Sequence, residues 1–154
     1  MWGHRWFQLE SPPSYTGATI APKELVPIVM ACVIWGHTWH GHVVHVHSDN
    51  EAVVAVINTG YSKDPQMMHL IRCLFFILAA WDISLYACHI PGVLNTVADA
   101  ISRDNIPLLF SKVPDADRTP TPVPPNLVEL LLTCHPDWTH PTWKRLFNSC
   151  FQQA

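Results

Sequence analysis

Apolar positions along the chain change period several times, and the changes mark the elements. From Pro22 to about His37 they read as a helix, with Glu24, Ile28, Ala31 and Trp35 along one face at i, i+4, i+7 and i+11. Pro22 suits a first helical turn. Pro27 costs about 3 kcal/mol or a kink inside a helix, which would move the regular part to Leu25 and leave Glu24 at its entrance. His42 to Ser48 alternates β-branched and polar residues as a strand does, and Asp49-Asn50 ends it. Glu51 to Asn58 then reads as a helix closed by Thr59-Gly60. The strongest helix is Asp64 to Trp81, where Met67, Leu70, Ile71, Leu74, Phe75 and Leu78 keep the 3-4 period behind Asp64-Pro65. Met68, Phe76 and Ile77 widen its apolar face enough to meet a partner as well as a sheet. Ser84 to Ile90 is the next strand and Leu94 to Ser102 the next helix. This alternation predicts an α/β fold with parallel pairing and right-handed crossovers.

The two ends lack that rhythm. Within Met1 to Ala21 only Arg5 to Leu9 reads as a strand, before the Ser11-Pro12-Pro13-Ser14 break. Past Arg103, the prolines at 107, 114, 120, 122, 124 and 125 predict an extended linker. Asn126 to Thr133 reads as a short capped helix, and Pro141 to Phe151 as another, with Trp143, Phe147 and Phe151 on one face. The expected organisation is one α/β domain over residues 1–106, a proline-rich linker over 107–125 and a short helical tail over 126–154. That tail is either an appendage packing on the domain or a docking segment from a longer polyprotein.

Composition narrows the classes. At 154 residues, with 49% hydrophobic and 14% charged, the chain can bury a real core and is not a disordered segment. No secretory signal is visible, Leu25 to Trp35 is too short to span a bilayer, and His69 and Arg72 interrupt Met67 to Trp81; an intracellular protein without a membrane partner is expected. Five cysteines with no C-x-x-C pair predict reduced thiols, not a disulfide framework. A net charge of −3 with no Lys/Arg cluster argues against a free-standing, high-affinity nucleic-acid binder, so something else would hold such a substrate.

Three carboxylates sit on separate elements: Glu24 on the first helix, Asp49 at the carboxyl end of a strand, and Asp99 on a later helix. Open α/β sheets place chemistry at strand carboxyl ends. Carboxylates gathered this way can hold two Mg²⁺ ions about 4 Å apart, one activating water and one stabilising the leaving oxygen. His89, before the Pro91-Gly92 turn, suits a mobile acid/base near neutral pH. Each has a plainer reading: Glu24 as a surface residue favoured by the helix dipole, Ser48 or Asp49 as a helix cap, and Asn95 as a helix-entry residue. His37, His40, His42, His45 and His47 also invite a zinc site, although His45 and His47 share a strand face that His42 does not. Adventitious Ni²⁺ or Zn²⁺ binding explains that cluster better. No Gly-x-Ser-x-Gly elbow and no Gly-rich phosphate loop is present.

Three ordered motifs carry a resemblance. Glu24-Leu25-Val26-Pro27-Ile28, Ser48-Asp49-Asn50-Glu51-Ala52-Val53-Val54, and His89-Ile90-Pro91-Gly92 with Asn95, Ala98-Asp99 and Ser102-Arg103 resemble the ribonuclease H domain of DIRS-type retrotransposon reverse transcriptases. The resemblance spans roughly Trp6 to Arg103. Asn126-Leu127, Pro136-Asp137-Trp138 and Trp143-Lys144-Arg145-Leu146-Phe147 look like the segment on the C-terminal side of that domain in DIRS-type elements. The likeness implies a ribonuclease H-like mixed sheet with flanking helices and hydrolysis of RNA in an RNA–DNA hybrid. Glu24, Asp49 and Asp99 would be ligands for Mg²⁺, with Mn²⁺ as a substitute; His89 would assist proton transfer, and Asn50 and Asn95 would contact substrate. Implied partners are the hybrid and a polymerase domain or longer polyprotein. The family's metal quartet runs Asp, Glu, Asp, Asp, with the first Asp on the first strand. No Asp precedes Asp49 here, and Glu10, the only acid before Glu24, sits beside the Ser-Pro-Pro break. The expectation is therefore a domain lacking its opening strands and impaired as an enzyme. The alternative is a non-catalytic nucleic-acid-binding or protein-interaction remnant of a retroelement polyprotein.

Overall fold

The computed structural model describes residues 1–9, 20–124, 127–133, 141, 144, 145 and 148. Contacts divide the chain into two units, each built from two separate segments. One comprises Met1–Ser11 with Ile90–Val123, the other Pro12–His89 with Pro124–Ala154.

The larger unit contains helix α1 (Ile20–Trp35), strand β1 (Val43–Ser48), helices α2 (Glu51–Thr59) and α3 (Pro65–Ala80), and strand β2 (Ser84–His89). α1 is apolar almost all round: Leu25, Val26, Ile28, Val29, Met30, Cys32, Val33, Ile34 and Trp35 are all buried, the mark of a helix inside a core. Pro27 does not displace the helix start, because both Pro27 and Lys23, whose carbonyl loses its i+4 donor, are exposed and water can replace the bond. α1 packs chiefly on α3, which contributes Met67, Leu70, Ile71, Cys73, Leu74, Ile77 and Leu78. Asp64 caps α3 by accepting from the N–H groups of Gln66 and Met67 at 2.8 and 2.9 Å, with Pro65 at the first helical position. α2 ends where Gly60 turns left-handed at φ 68° and donates its N–H to Val56.

β1 and β2 form a two-stranded parallel sheet in register from Val43 opposite Ser84 to Ser48 opposite His89. The expected α/β class is present in this form: a parallel pair with flanking helices. At Ala87 the outer edge of β2 is closed by a side chain. Asn58 of α2 donates Nδ2–H to the Ala87 carbonyl and accepts the Ala87 N–H at Oδ1, both at 2.9 Å. One amide thus stands in for a neighbouring strand. Behind the strands, Gly36 lies where a Cβ would come within 2.8 Å of the Trp81 indole, so the turn after α1 needs glycine. The last described helix, Leu127–Thr133, adds buried Leu127 and Leu131, and its Leu131 carbonyl accepts from His69 Nε2 at 2.9 Å.

The smaller unit holds α4 (Thr96–Ser102) and α5 (Ile106–Lys112). Residues 106–112 are helical where the prolines predict an extended linker: Pro107 falls in the first turn, where its missing N–H costs nothing, and Asn105 caps α5 through Leu108 N–H. Leu109 and Ala116 join Trp6, Ala100 and Ile101 in a small core. After Lys112 the chain has no helix or strand up to Val123 and is mostly exposed, with Ala116 buried; its contacts group it with Met1–Ser11. Arg5 to Leu9 is not a strand. A Trp2–Arg5 bridge is followed by extended chain whose Trp6 carbonyl accepts from Thr121 N–H, and whose Trp6 Nε1–H donates to the Asp117 carbonyl at 2.8 Å. The expected Ser11-Pro12-Pro13-Ser14 break and most of the helix over Pro141 to Phe151 lie outside the described residues. No helix among the described residues is long and apolar enough to cross a membrane.

This packing has two measurable consequences. Asn58→Ala leaves both Ala87 backbone groups without their partner and should cost about 1–3 kcal/mol in urea unfolding; Asn58→Asp, which keeps the acceptor but loses the donor, should not rescue it. Burial pushes the Cys32 thiol from its ordinary 9.0 up to about 12. Because the folded value is the higher, this contribution to stability is complete below about pH 9 and is lost as pH rises toward 12. Residue-resolved alkylation of the native protein near pH 8 should label half-buried Cys88 well before Cys32.

Candidate functional site

Because β1 and β2 are parallel, their carboxyl ends lie at one edge of the sheet. Ser48 and His89 are the last register pair there, and Asp49 comes directly after Ser48. Ser48 is 6% exposed, and its Oγ accepts the Asn50 N–H at 3.2 Å, fixing the exit from the strand. Asp49 and His89 are both exposed at that edge. Their positions at the ends of two strands can be read from the sequence, and the register brings them to the same side.

Asn50 has a structural task. Its Oδ1 accepts from the N–H groups of Ala52 and Val53 at 3.0 and 3.2 Å, making it the N-cap of α2. The cap is thus neither Ser48 nor Asp49 but the side chain one position later, which leaves the Asp49 carboxylate out of the capping role. Glu24 lies in the second turn of α1, half-buried, with Oε2 shielded from solvent and without a hydrogen-bond partner. α1 also packs against α2, the helix that Asn50 starts. An oxygen donor buried without a proton partner is the kind of group that a hard cation satisfies.

Asp99 belongs to the smaller unit, on α4, where its Oδ1 accepts from Arg103 Nε at 2.6 Å. Both side chains are more than half exposed, and the carboxylate beside the guanidinium raises the Arg103 pKa further. The sequence reading passes over this pair, although Asp and Arg at i and i+4 on a helix are its usual signal. Asn95 stands between the 3₁₀ turn Gly92–Leu94 and α4; its N–H donates to the Gly92 carbonyl at 3.0 Å, and its side chain makes no capping bond.

The histidine cluster is divided among different tasks. His37 meets the Trp81 ring edge-on, with centroids 6.3 Å apart, and the Nδ1–H of His40 donates to the Trp81 carbonyl at 2.8 Å. The Nδ1–H of His42 donates to the His40 carbonyl at 2.8 Å. On the open sheet face His45 stacks on Tyr86 at 5.8 Å, with its Nδ1 3.9 Å from Cys88 Sγ. Among the described residues no three His, Cys, Asp or Glu side chains converge as a metal-binding group. Neither the histidines nor Glu24, Asp49 and Asp99 therefore stand as a ready-made centre, and any metal would have to draw its ligands together.

The cap and the candidate substrate contact at Asn50 separate experimentally. Asn50→Asp should retain stability within a few tenths of a kcal/mol, whereas Asn50→Ala should lose about 1 kcal/mol in thermal or urea unfolding, with no nucleic acid present.

The chain matches no protein family, no curated protein and no solved structure.

Proposed function

We propose that this chain is a ribonuclease H-type domain of a retroelement reverse transcriptase, directed at RNA in RNA–DNA hybrids and weak or inert as a catalyst on its own residues. The observation that carries this reading is the shared carboxyl edge of β1 and β2, which sets Asp49 beside the His89 strand end. The unpartnered buried oxygen of Glu24 supports it. Glu24 and Asp49 would hold Mg²⁺ or Mn²⁺, which when bound supplies an activated water and charge stabilisation at the leaving oxygen; Asp99, in the smaller unit, is a ligand by the resemblance alone. The carboxylates would neutralise and orient the cation, and His89, exposed at its strand end, would assist proton transfer. Recognition of a hybrid rests on backbone shape and 2′-hydroxyls, which a sheet edge without Lys or Arg can read only when another element supplies phosphate contacts. A polymerase domain or a longer polyprotein is the natural source of those contacts.

The ion pair between Asp99 and Arg103 favours a second reading, a non-catalytic nucleic-acid-binding or protein-interaction remnant of the same polyprotein. A carboxylate already held by a guanidinium is a poorer ligand for a cation.

A labelled RNA–DNA hybrid incubated with the folded chain in Mg²⁺ or Mn²⁺ separates the two readings. Slow, metal-dependent cleavage lost in Asp49→Asn supports the nuclease reading. Absence of cleavage, persisting after an upstream strand bearing an Asp is fused to the chain, supports the remnant. Arg103→Ala should raise any activity that depends on Asp99.

A further inference from the structure

Among the described residues, only one side of the sheet finds hydrogen-bond partners. Ser84 N–H donates to the His42 carbonyl at 3.0 Å. In a parallel ladder this commits the even-numbered residues of β1 to β2 and turns the N–H and C=O of Val43, His45 and His47 outward. No described residue bonds those outward groups. On the other edge α2 packs against β2 and its Asn58 clamps Ala87, the middle one of the outward-facing residues Leu85, Ala87 and His89. Val43–Ser48 also lacks the devices that normally protect an edge: it holds no Lys, Arg, Asp, Glu or Pro. Val43 is 61% exposed, and across the sheet Tyr86 is 55% exposed.

We infer that β1 is a self-association edge, pairing antiparallel with β1 of a second copy about a two-fold axis at His45. The strand is self-complementary in this arrangement. His45 faces His45, Val43 of one copy faces His47 of the other, and every outward N–H and C=O of the three residues finds a partner. No charge opposes the approach, since neither strand carries an acid, a lysine or an arginine. Asn58 limits the assembly: with Ala87 clamped at the centre of each β2 edge, a four-stranded sheet forms and growth stops at two copies instead of continuing as a fibre. The paired segment is short, so the dimer is weak and concentration-dependent.

Sedimentation equilibrium on the full chain over a wide concentration range tests this. The wild type should move reversibly between monomer and dimer. V43E/H47E sets like charges opposite each other at both ends of the paired segment and should weaken the dimer about tenfold. V43K/H47E uses the same positions but sets opposite charges face to face, and should restore the dimer to wild-type strength or better. All these side chains are exposed in the monomer, and circular dichroism checks that each variant folds. A wild type that stays monomeric overturns the inference. So do two double variants that dissociate alike, because only this register distinguishes them. Species larger than a dimer would overturn the role given to Asn58.

Discussion

The packing of α1 on α3 is the constraint on which the larger unit depends. A two-stranded sheet is marginal by itself, since it leaves two edges and two faces to solvent. Here the strands are carried by helices already fixed in a core. α1 is buried on nearly every side and α3 along most of its length, so the α2–α3 crossover between the strands starts and ends in packed structure. One further device, the Asn58 amide, satisfies the Ala87 backbone on the side of β2 away from β1. Asp49 and His89 stand at the carboxyl end of this supported pair.

Electrostatics in this molecule are local. With 9 Lys and Arg against 12 Asp and Glu in 154 residues, no broad field draws a polyanion to the surface. What charge does is done residue by residue: Asp64 caps α3, and Asp99 holds Arg103. Glu24 keeps one oxygen in a place that water does not reach.

Elements set by period are legible in the sequence. The Val43–Ser48 strand comes from β-branched alternation, and α3 from its 3-4 spacing behind Asp64-Pro65, because both signals are local. Proline is the less dependable sign. Pro27 lies on the solvent side of α1, and Pro107 sits in the first turn of α5, two settings in which a missing N–H is tolerated and neither residue breaks its helix. Contacts made over long separations are not legible. Trp6 meets Asp117 across 111 positions, and the Asn58–Ala87 clamp joins residues 29 apart with no motif to announce it. For the candidate site, local patterning places Asp49 and His89 at strand ends. Glu24's orphaned oxygen and Asp99's engagement with Arg103 depend on side-chain surroundings, which spacing alone does not describe.

The two units are interleaved along the chain: each takes one segment from the N-terminal part and one from the C-terminal part. During synthesis Trp6 emerges long before Leu109 and Ala116, the residues it is buried with, so the first segment must wait unpaired while the Pro12–His89 stretch forms. The core of the larger unit can begin to collapse on the ribosome, since α1 and α3 are both available by then. The smaller unit closes only after translation has passed Thr121, whose N–H bonds the Trp6 carbonyl. No single cut in the backbone can release either unit intact, and a stop codon anywhere between residues 90 and 105 would leave Trp6 without the α5 side of its core.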